Sequence, residues 1–209
     1  MYSRSRWCVP VLVAAWSGLV ASAEPPRALG RAPDGSPAAR EALALCVQPG
    51  GDPARWKRGV ALAEQAIEAH DADATAHFAV FCNLGKQADA AGVSMTGMLA
   101  VRRLRREIDR TLALAPDWDD ALVAKGSFLM QLPRMLGGDA AEGERLLRRV
   151  LTRDPDFHEA HFELARGLAA NGRRADARVA AERAVALADR AHDADVAERA
   201  RKLLRELGD

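Results

Sequence analysis

Aromatic side chains are scarce in this chain. They make up 5% of its 209 residues, with a single Tyr. Any core must therefore be filled mostly by small and aliphatic side chains. β-Branched residues are also sparse beside Ala, Arg and Leu, a balance that favours helix over strand. No Gly-rich phosphate loop is present, because Gly137-Gly138 lacks the Lys-Ser/Thr of a P-loop. Ser36, Ser94 and Ser127 stand outside any nucleophile-elbow context. His158-Glu159-Ala160-His161 is one residue short of the zinc-protease pattern H-E-x-x-H, and no third ligand stands at a convincing spacing. Carboxylates are plentiful but spread along helix faces. These gaps set an enzyme aside, and no catalytic residue, metal or cofactor is expected.

Cysteine is rare too. Of three, Cys8 lies in a segment unlike the rest of the chain. Arg4 and Arg6 open that segment, Val9 to Val20 is mostly apolar, and Ala21-Ser22-Ala23 forms an A-x-A cleavage signal. Residues 1–23 read as a secretory signal peptide. The competing reading, an N-terminal anchor, needs an apolar run of about 20 residues, which this stretch does not reach. Cys8 sits too early for a lipid-modified cysteine. No other stretch is apolar enough to span a bilayer, so no stable membrane insertion is expected once the signal is cleaved. A periplasmic location is expected. The mature chain then carries 28 basic against 29 acidic side chains. A near-neutral exported chain is a poor nucleic-acid binder. The run Arg102-Arg103-Leu104-Arg105-Arg106 is followed at once by Glu107 and Asp109, and reads as a solvated helix face.

Cys46 and Cys82 remain. An oxidising compartment permits a bridge between them. Both fall on predicted helices, however, and helix geometry seldom brings two cysteine Cα atoms within about 7 Å. Two buried thiols are the expectation.

What the chain does have is repetition. Pro116-Asp117-Trp118-Asp119-Asp120-Ala121 recurs as Pro155-Asp156-Phe157-His158-Glu159-Ala160, 39 residues on. At that offset Gly126 meets Ala165 and Leu129 meets Leu168. Ala76-His77-Phe78 matches Ala160-His161-Phe162 at 84. Recurring helix pairs closed by Pro signal an α-helical repeat array. In order, residues 24–37 are a Pro- and Gly-rich lead-in expected to be disordered. Ser36-Pro37 caps a helix to about Val47, and Asp52-Pro53 caps the second. Further helices are predicted over about 74–90, 98–114, 118–131, 142–153, 157–170, 174–188 and 193–207. Gly92 to Gly97 breaks the pattern, Leu132 to Asp139 forms a loop with Asp139 as N-cap, and Asn171-Gly172 is a left-handed C-cap. The last helix sets Val196, Ala200, Leu203, Leu204 and Leu207 on one stripe, as a solenoid's closing helix does.

The repeat starting at His158 resembles the tetratricopeptide repeat family. Leu164, Ala165 and Leu168 fill its first-helix slots and Ala177 and Ala184 the small slots of its second helix. Ala181 stands where that family carries a large aromatic, and Asp189 where it closes with Pro. The preceding repeat fits with Gly126 and Pro155 and a five-residue insertion at the Pro133–Asp139 loop. The likeness fades toward the N-terminus. The resemblance implies an all-α, right-handed superhelical solenoid, with about four helix pairs over 38–190 and a capping helix over 191–209. The Leu-Pro-x-x-Leu-Gly-Gly-Asp loop is similar to loops of exported bacterial repeat proteins. Among these are the TatT-type periplasmic partners of tripartite ATP-independent transporters. The stretched second repeat is similar to regulator-of-microtubule-dynamics proteins, a setting at odds with a signal peptide.

By position in that family, first helices would line a concave groove. The groove would expose Thr75, Phe78 and Cys82, then Asp120, Val123, Ser127 and Met130, then Glu159, Phe162 and Arg166. The plainer alternative is that Phe78 and Phe162 are core. The expected function is a non-enzymatic scaffold or adaptor that binds a peptide or partner protein in this groove. The alternative is a small-molecule-binding component of a transport system, TatT-like, which would need a closed apolar tunnel.

Overall fold

The computed structural model describes residues 33–90 and 98–208. Residues 1–32, which hold the expected signal peptide and most of the expected lead-in, and the Gly92–Gly97 break lie outside them. The described residues form an all-α solenoid of nine α-helices and one 3₁₀ turn, with no strand among them. The helices are α1 (Pro37–Val47), α2 (Pro53–Ala69), α3 (Ala74–Ala90), α4 (Met98–Leu114), α5 (Asp119–Gln131), α6 (Ala140–Arg153), α7 (His158–Ala170), α8 (Arg174–Arg190) and α9 (Ala194–Gly208).

Local signals set the ends. The Ser36 hydroxyl accepts from Ala39 N–H ahead of Pro37, Asp52 accepts from Ala54 N–H, and Asp139 accepts from Glu142 N–H. Each satisfies a first-turn donor that would otherwise lack a partner. Gly172 takes φ +75°, closing α7 in the left-handed region. In the loop before α6, residues Arg134–Leu136 make the 3₁₀ turn, and Gly137 reverses it at φ +86°. A Cβ on Gly138 would collide with the Leu132 carbonyl, so only glycine fits that return.

Two kinds of seam hold the stack. One kind is made of small residues. At the α5/α6 crossing, a Cβ on Gly126 would lie 2.9 Å from the Gly143 carbonyl oxygen, and one on Gly143 would lie 2.5 Å from that of Gly126. The two backbones touch, as small residues permit. The α3/α5 seam is different. Phe78 meets Trp118 at 4.5 Å between ring centroids, and Phe81 meets Phe128 edge-on at 5.7 Å. The few aromatics are thus concentrated where the stretched second repeat separates neighbouring first helices. Large rings fill a gap that Ala cannot. Elsewhere Ala160, Ala165, Ala177 and Ala181 are fully buried, which accounts for the missing aromatic at Ala181.

Two expectations are corrected. Cys46 on α1 and Cys82 on α3 form a disulfide, their Cα atoms 6.1 Å apart. Neighbouring first helices of successive repeats run side by side, and this register brings the two positions within bridging reach. The lead-in is also ordered at its end. Ser36 N–H donates to Asp73 Oδ2 at 2.8 Å, Thr75 Oγ1 donates to the Pro33 carbonyl at 3.0 Å, and Gly35 packs on the Thr75 side chain.

Candidate functional site

The first-helix faces of α5 and α7, with α9 beside them, carry the residues expected to line a groove. The structure places several of these inside. Phe78 and Phe162 are each 4% exposed, and Val123, Met130, Ser127 and Thr75 are buried as well. Phe78 belongs to the ring seam. Val123 packs in the central core with Leu122, Leu147 and Leu164. Met130 is a wedge: its side chain fills the space left by the missing Cβ atoms of Gly143 and Gly167. Phe162 lies under α9, among Ala184, Ala188, Val196, Ala197 and Ala200. Cys82 is in the disulfide. Asp120 is half-buried and accepts from Trp118 Nε1 at 3.1 Å.

What reaches the surface of this stripe is polar. On α7, Glu159, Phe162, Glu163 and Arg166 follow one another at helical spacing. Ser127 Oγ donates to Glu163, whose other oxygen lies 3.2 Å from Arg166 Nη1. Arg166 also donates to Gln131 Oε1, and Gln131 Nε2 donates to Ser127 Oγ at 2.5 Å. These four side chains close a ring of hydrogen bonds between α5 and α7. One turn earlier, Arg199 of α9 pairs with Glu159 at 2.9 Å and with Asp195 at 2.9 Å. Both guanidinium groups lie over the Phe162 ring, Arg199 at 4.6 Å from its centroid and Arg166 at 5.8 Å. Burial, with Glu163 alongside, raises the Glu159 carboxyl above its ordinary range against the pull of Arg199.

Glu163, Gln131 and Arg199 join this polar network but were not among the residues expected to line a groove. Glu163 could have been found, since it stands four residues after Glu159 on the same face. Arg199 could not, because it comes from a helix read as a cap. The His158/His161 pair does not share a site. His158 Nε2 lies 3.0 Å from Asp193 Oδ2, whereas His161 Nε2 meets the Pro155 carbonyl at 3.0 Å. Burial lowers the pKa of His161. Among the described residues no group of three or more His, Cys, Asp or Glu is arranged to hold a metal.

A concavity of about 400 Å³ lies between α2 and α4. Glu64, Glu68 and Asp71 form one wall and Arg103, Arg106 and Arg110 the other, with His77 and Val80 beneath. Arg103–Glu64 and Arg110–Asp71 bridge it, each pair 39 residues apart, so the two second helices run in parallel register. His77 Nδ1 lies 2.8 Å from Glu107 Oε2, and His77 Nε2 lies 3.0 Å from the Asp71 carbonyl. Burial works against the charged imidazole, but Glu107 outweighs it and raises the His77 pKa. In the same way the His77 partner holds Glu107 below its usual range despite burial. Its lining mixes these charged side chains with Ile67 and Val80.

Helix pairs stacked through small residues, with a polar stripe along their first helices, define an all-α tetratricopeptide-like solenoid. The fold is similar to that of a solved structure titled MamA AMB-1. That alignment covers 83% of this chain and 96% of the other, with a TM-score of 0.51 and 17% identity. At that identity the likeness speaks for the fold alone. No protein-family model matches the sequence, and no curated protein is found to match it.

Proposed function

We propose that the chain is an exported, non-enzymatic scaffold that docks a peptide or partner protein along the α5–α7–α9 face. The observation that carries this reading is the Glu159–Arg199 and Glu163–Arg166–Gln131–Ser127 ladder. Its hydrogen-bonding atoms are held in fixed positions, yet the Arg166 side chain remains 35% exposed and that of Glu159 32%. Preorganised donors and acceptors in alternation suit the backbone and charged side chains of an extended peptide or a helix. On this reading the buried Phe162 supports the two guanidinium groups from below. Asp120 sets the edge of the same face. The periplasm is the compartment proposed, on the strength of the N-terminal signal and in keeping with the Cys46–Cys82 bridge.

The test is photo-crosslinking in the native cell envelope with the reactive group at Arg166. A discrete protein adduct, absent when the group replaces Arg201 on α9, is expected. A small ligand retained in native mass spectrometry, with no protein adduct, would replace the scaffold with the TatT-like carrier. Neither adduct nor ligand would remove this face as the docking site.

A further inference from the structure

The two ion pairs across the α2/α4 concavity leave a gap between them. Glu64 and Asp71 are two helical turns apart on α2, and Arg103 and Arg110 are two turns apart on α4, roughly 10 Å along each helix. Arg103–Glu64 closes one end and Arg110–Asp71 the other. Glu68 and Arg106 line opposite walls at the levels between, and no ion pair joins them. Glu68 is exposed and enters no ion pair among the described residues. Arg106 turns instead to the floor, where its Nε and Nη2 donate to Glu107 Oε1 at 3.3 and 3.2 Å. Glu107 is fixed in turn by His77 at 2.8 Å, and these two side chains are only 9% and 6% exposed. Burying such a pair costs desolvation that an apolar floor would not, and titratable groups buried beneath a cleft mark a candidate functional site. Arg106 Nη1 has no partner among the described residues, and the Arg106 side chain is 68% exposed. One edge of this guanidinium is thus anchored while the other is presented.

We propose that this concavity binds a small zwitterion, a free α-amino acid with an aliphatic side chain. Arg106 receives its carboxylate and Glu68 its ammonium. The walls stand within reach of a single Arg–carboxylate pair, as the two end bridges show. A ligand seated between Glu68 and Arg106 must therefore carry its opposite charges close together, as an α-amino acid does on one carbon. In a polypeptide interior those charges belong to separate side chains. Ile67 and Val80 give the lining its apolar part, which suits an aliphatic side chain. The volume of about 400 Å³ falls within the span of small-molecule sites, about 300–1,000 Å³. The end bridges and the His77–Glu107 pair hold walls and floor in place before a ligand arrives, which lowers the ordering cost of binding. The site shares no residue with the α5–α7–α9 face, so it does not depend on a partner docking there.

The experiment is isothermal titration calorimetry on the protein as purified from cells and extensively dialysed, with L-leucine as the probe. Saturable binding at one site is expected. N-acetyl-L-leucine lacks the ammonium and L-leucinamide the carboxylate, and each should bind at least about tenfold more weakly. Glu68→Gln and Arg106→Gln should each lower the affinity for leucine by about tenfold. Arg102→Gln, an exposed position on α4 outside the lining, should bind leucine as the parent does. No saturable heat, with no rise in Tm at high leucine concentration, would overturn the proposal. So would equal binding of the single-charge analogues, variants at Glu68 and Arg106 that bind as the parent does, or an equal loss in Arg102→Gln. Unchanged far-ultraviolet circular dichroism of the variants separates lost binding from misfolding.

Discussion

Gly126 tests the small-residue seam most directly. An added Cβ would sit 2.9 Å from the Gly143 carbonyl oxygen and 2.9 Å from Leu147 Cγ. A comfortable carbon–oxygen contact is about 3.3 Å or more, so the α5/α6 crossing must open by about 0.4 Å. Neither obstacle moves cheaply. One is helix backbone, and Leu147 is fully buried. Gly126→Ala gains about 1 kcal/mol of helix propensity against an overpacking cost of about 1–3 kcal/mol. It should be neutral to mildly destabilising. Gly126→Leu has the same propensity gain but must place three further carbons in the same space, and should lose about 2 kcal/mol net. In a domain of this size that lowers Tm by about 4–8 °C. Gly85, on α3, is the matched control, since a Cβ there meets nothing within 4 Å. Gly85→Ala should therefore raise stability by up to about 1 kcal/mol. The assay is thermal unfolding followed by circular dichroism. A Gly126→Leu variant melting at or above the parent, with Gly85→Ala behaving as expected, would refute the crossing.

Replacing Cys46 and Cys82 by Ser should cost about 4 kcal/mol in the chain-entropy account of a bridge closing this loop, read as a lower urea midpoint. A midpoint unchanged by reductant would show that the bridge contributes nothing. His77, raised above its ordinary 6.5, stabilises the fold fully below that pH and loses the contribution as pH rises through the raised value. Glu107, lowered from 4.5, contributes above that pH and loses it as pH falls through the lowered value. Between these limits the pair is ionised. A His77→Gln variant should therefore show a flatter fall of Tm on the alkaline side of pH 6.5 than the parent. His161 acts in the opposite sense, since burial lowers its pKa, and its contribution is lost as pH falls from 6.5. His161→Gln should flatten that acid limb. Arg199→Ala should speed amide exchange in α9 by several-fold while leaving α5 unchanged, because it removes both the Glu159 pair and the cation over Phe162.

Helix ends were legible because their causes are local. Ser36, Asp52 and Asp139 each reach a backbone N–H two or three residues on, and Gly172 needs only its own φ. The stack of helix pairs was legible for a related reason, since the 39-residue echo repeats one supersecondary unit. The disulfide was not. Whether Cys46 meets Cys82 depends on how far α1 and α3 are rotated against each other, which no window around either cysteine contains.

The groove shows the same limit at the level of one side chain. Helical spacing correctly puts Glu159, Phe162 and Arg166 on one stripe of α7, but it does not say what lies opposite. That is decided by α9, whose Val196, Ala197 and Ala200 cover Phe162 from more than thirty residues away. Once the ring is covered, its role changes. Its face supports Arg166 and Arg199, and they carry the stripe's charge to the surface. Binding determinants sought among exposed aromatics are then better sought among fixed polar atoms, which is why the crosslinking probe belongs at Arg166. The buried ring also makes α9 part of this face, so a truncation removing α9 would expose Phe162 and turn a polar stripe into an apolar one. Such a variant should bind a hydrophobic reporter dye that the intact chain does not. If it binds no more dye than the intact chain, the cover over Phe162 is not α9.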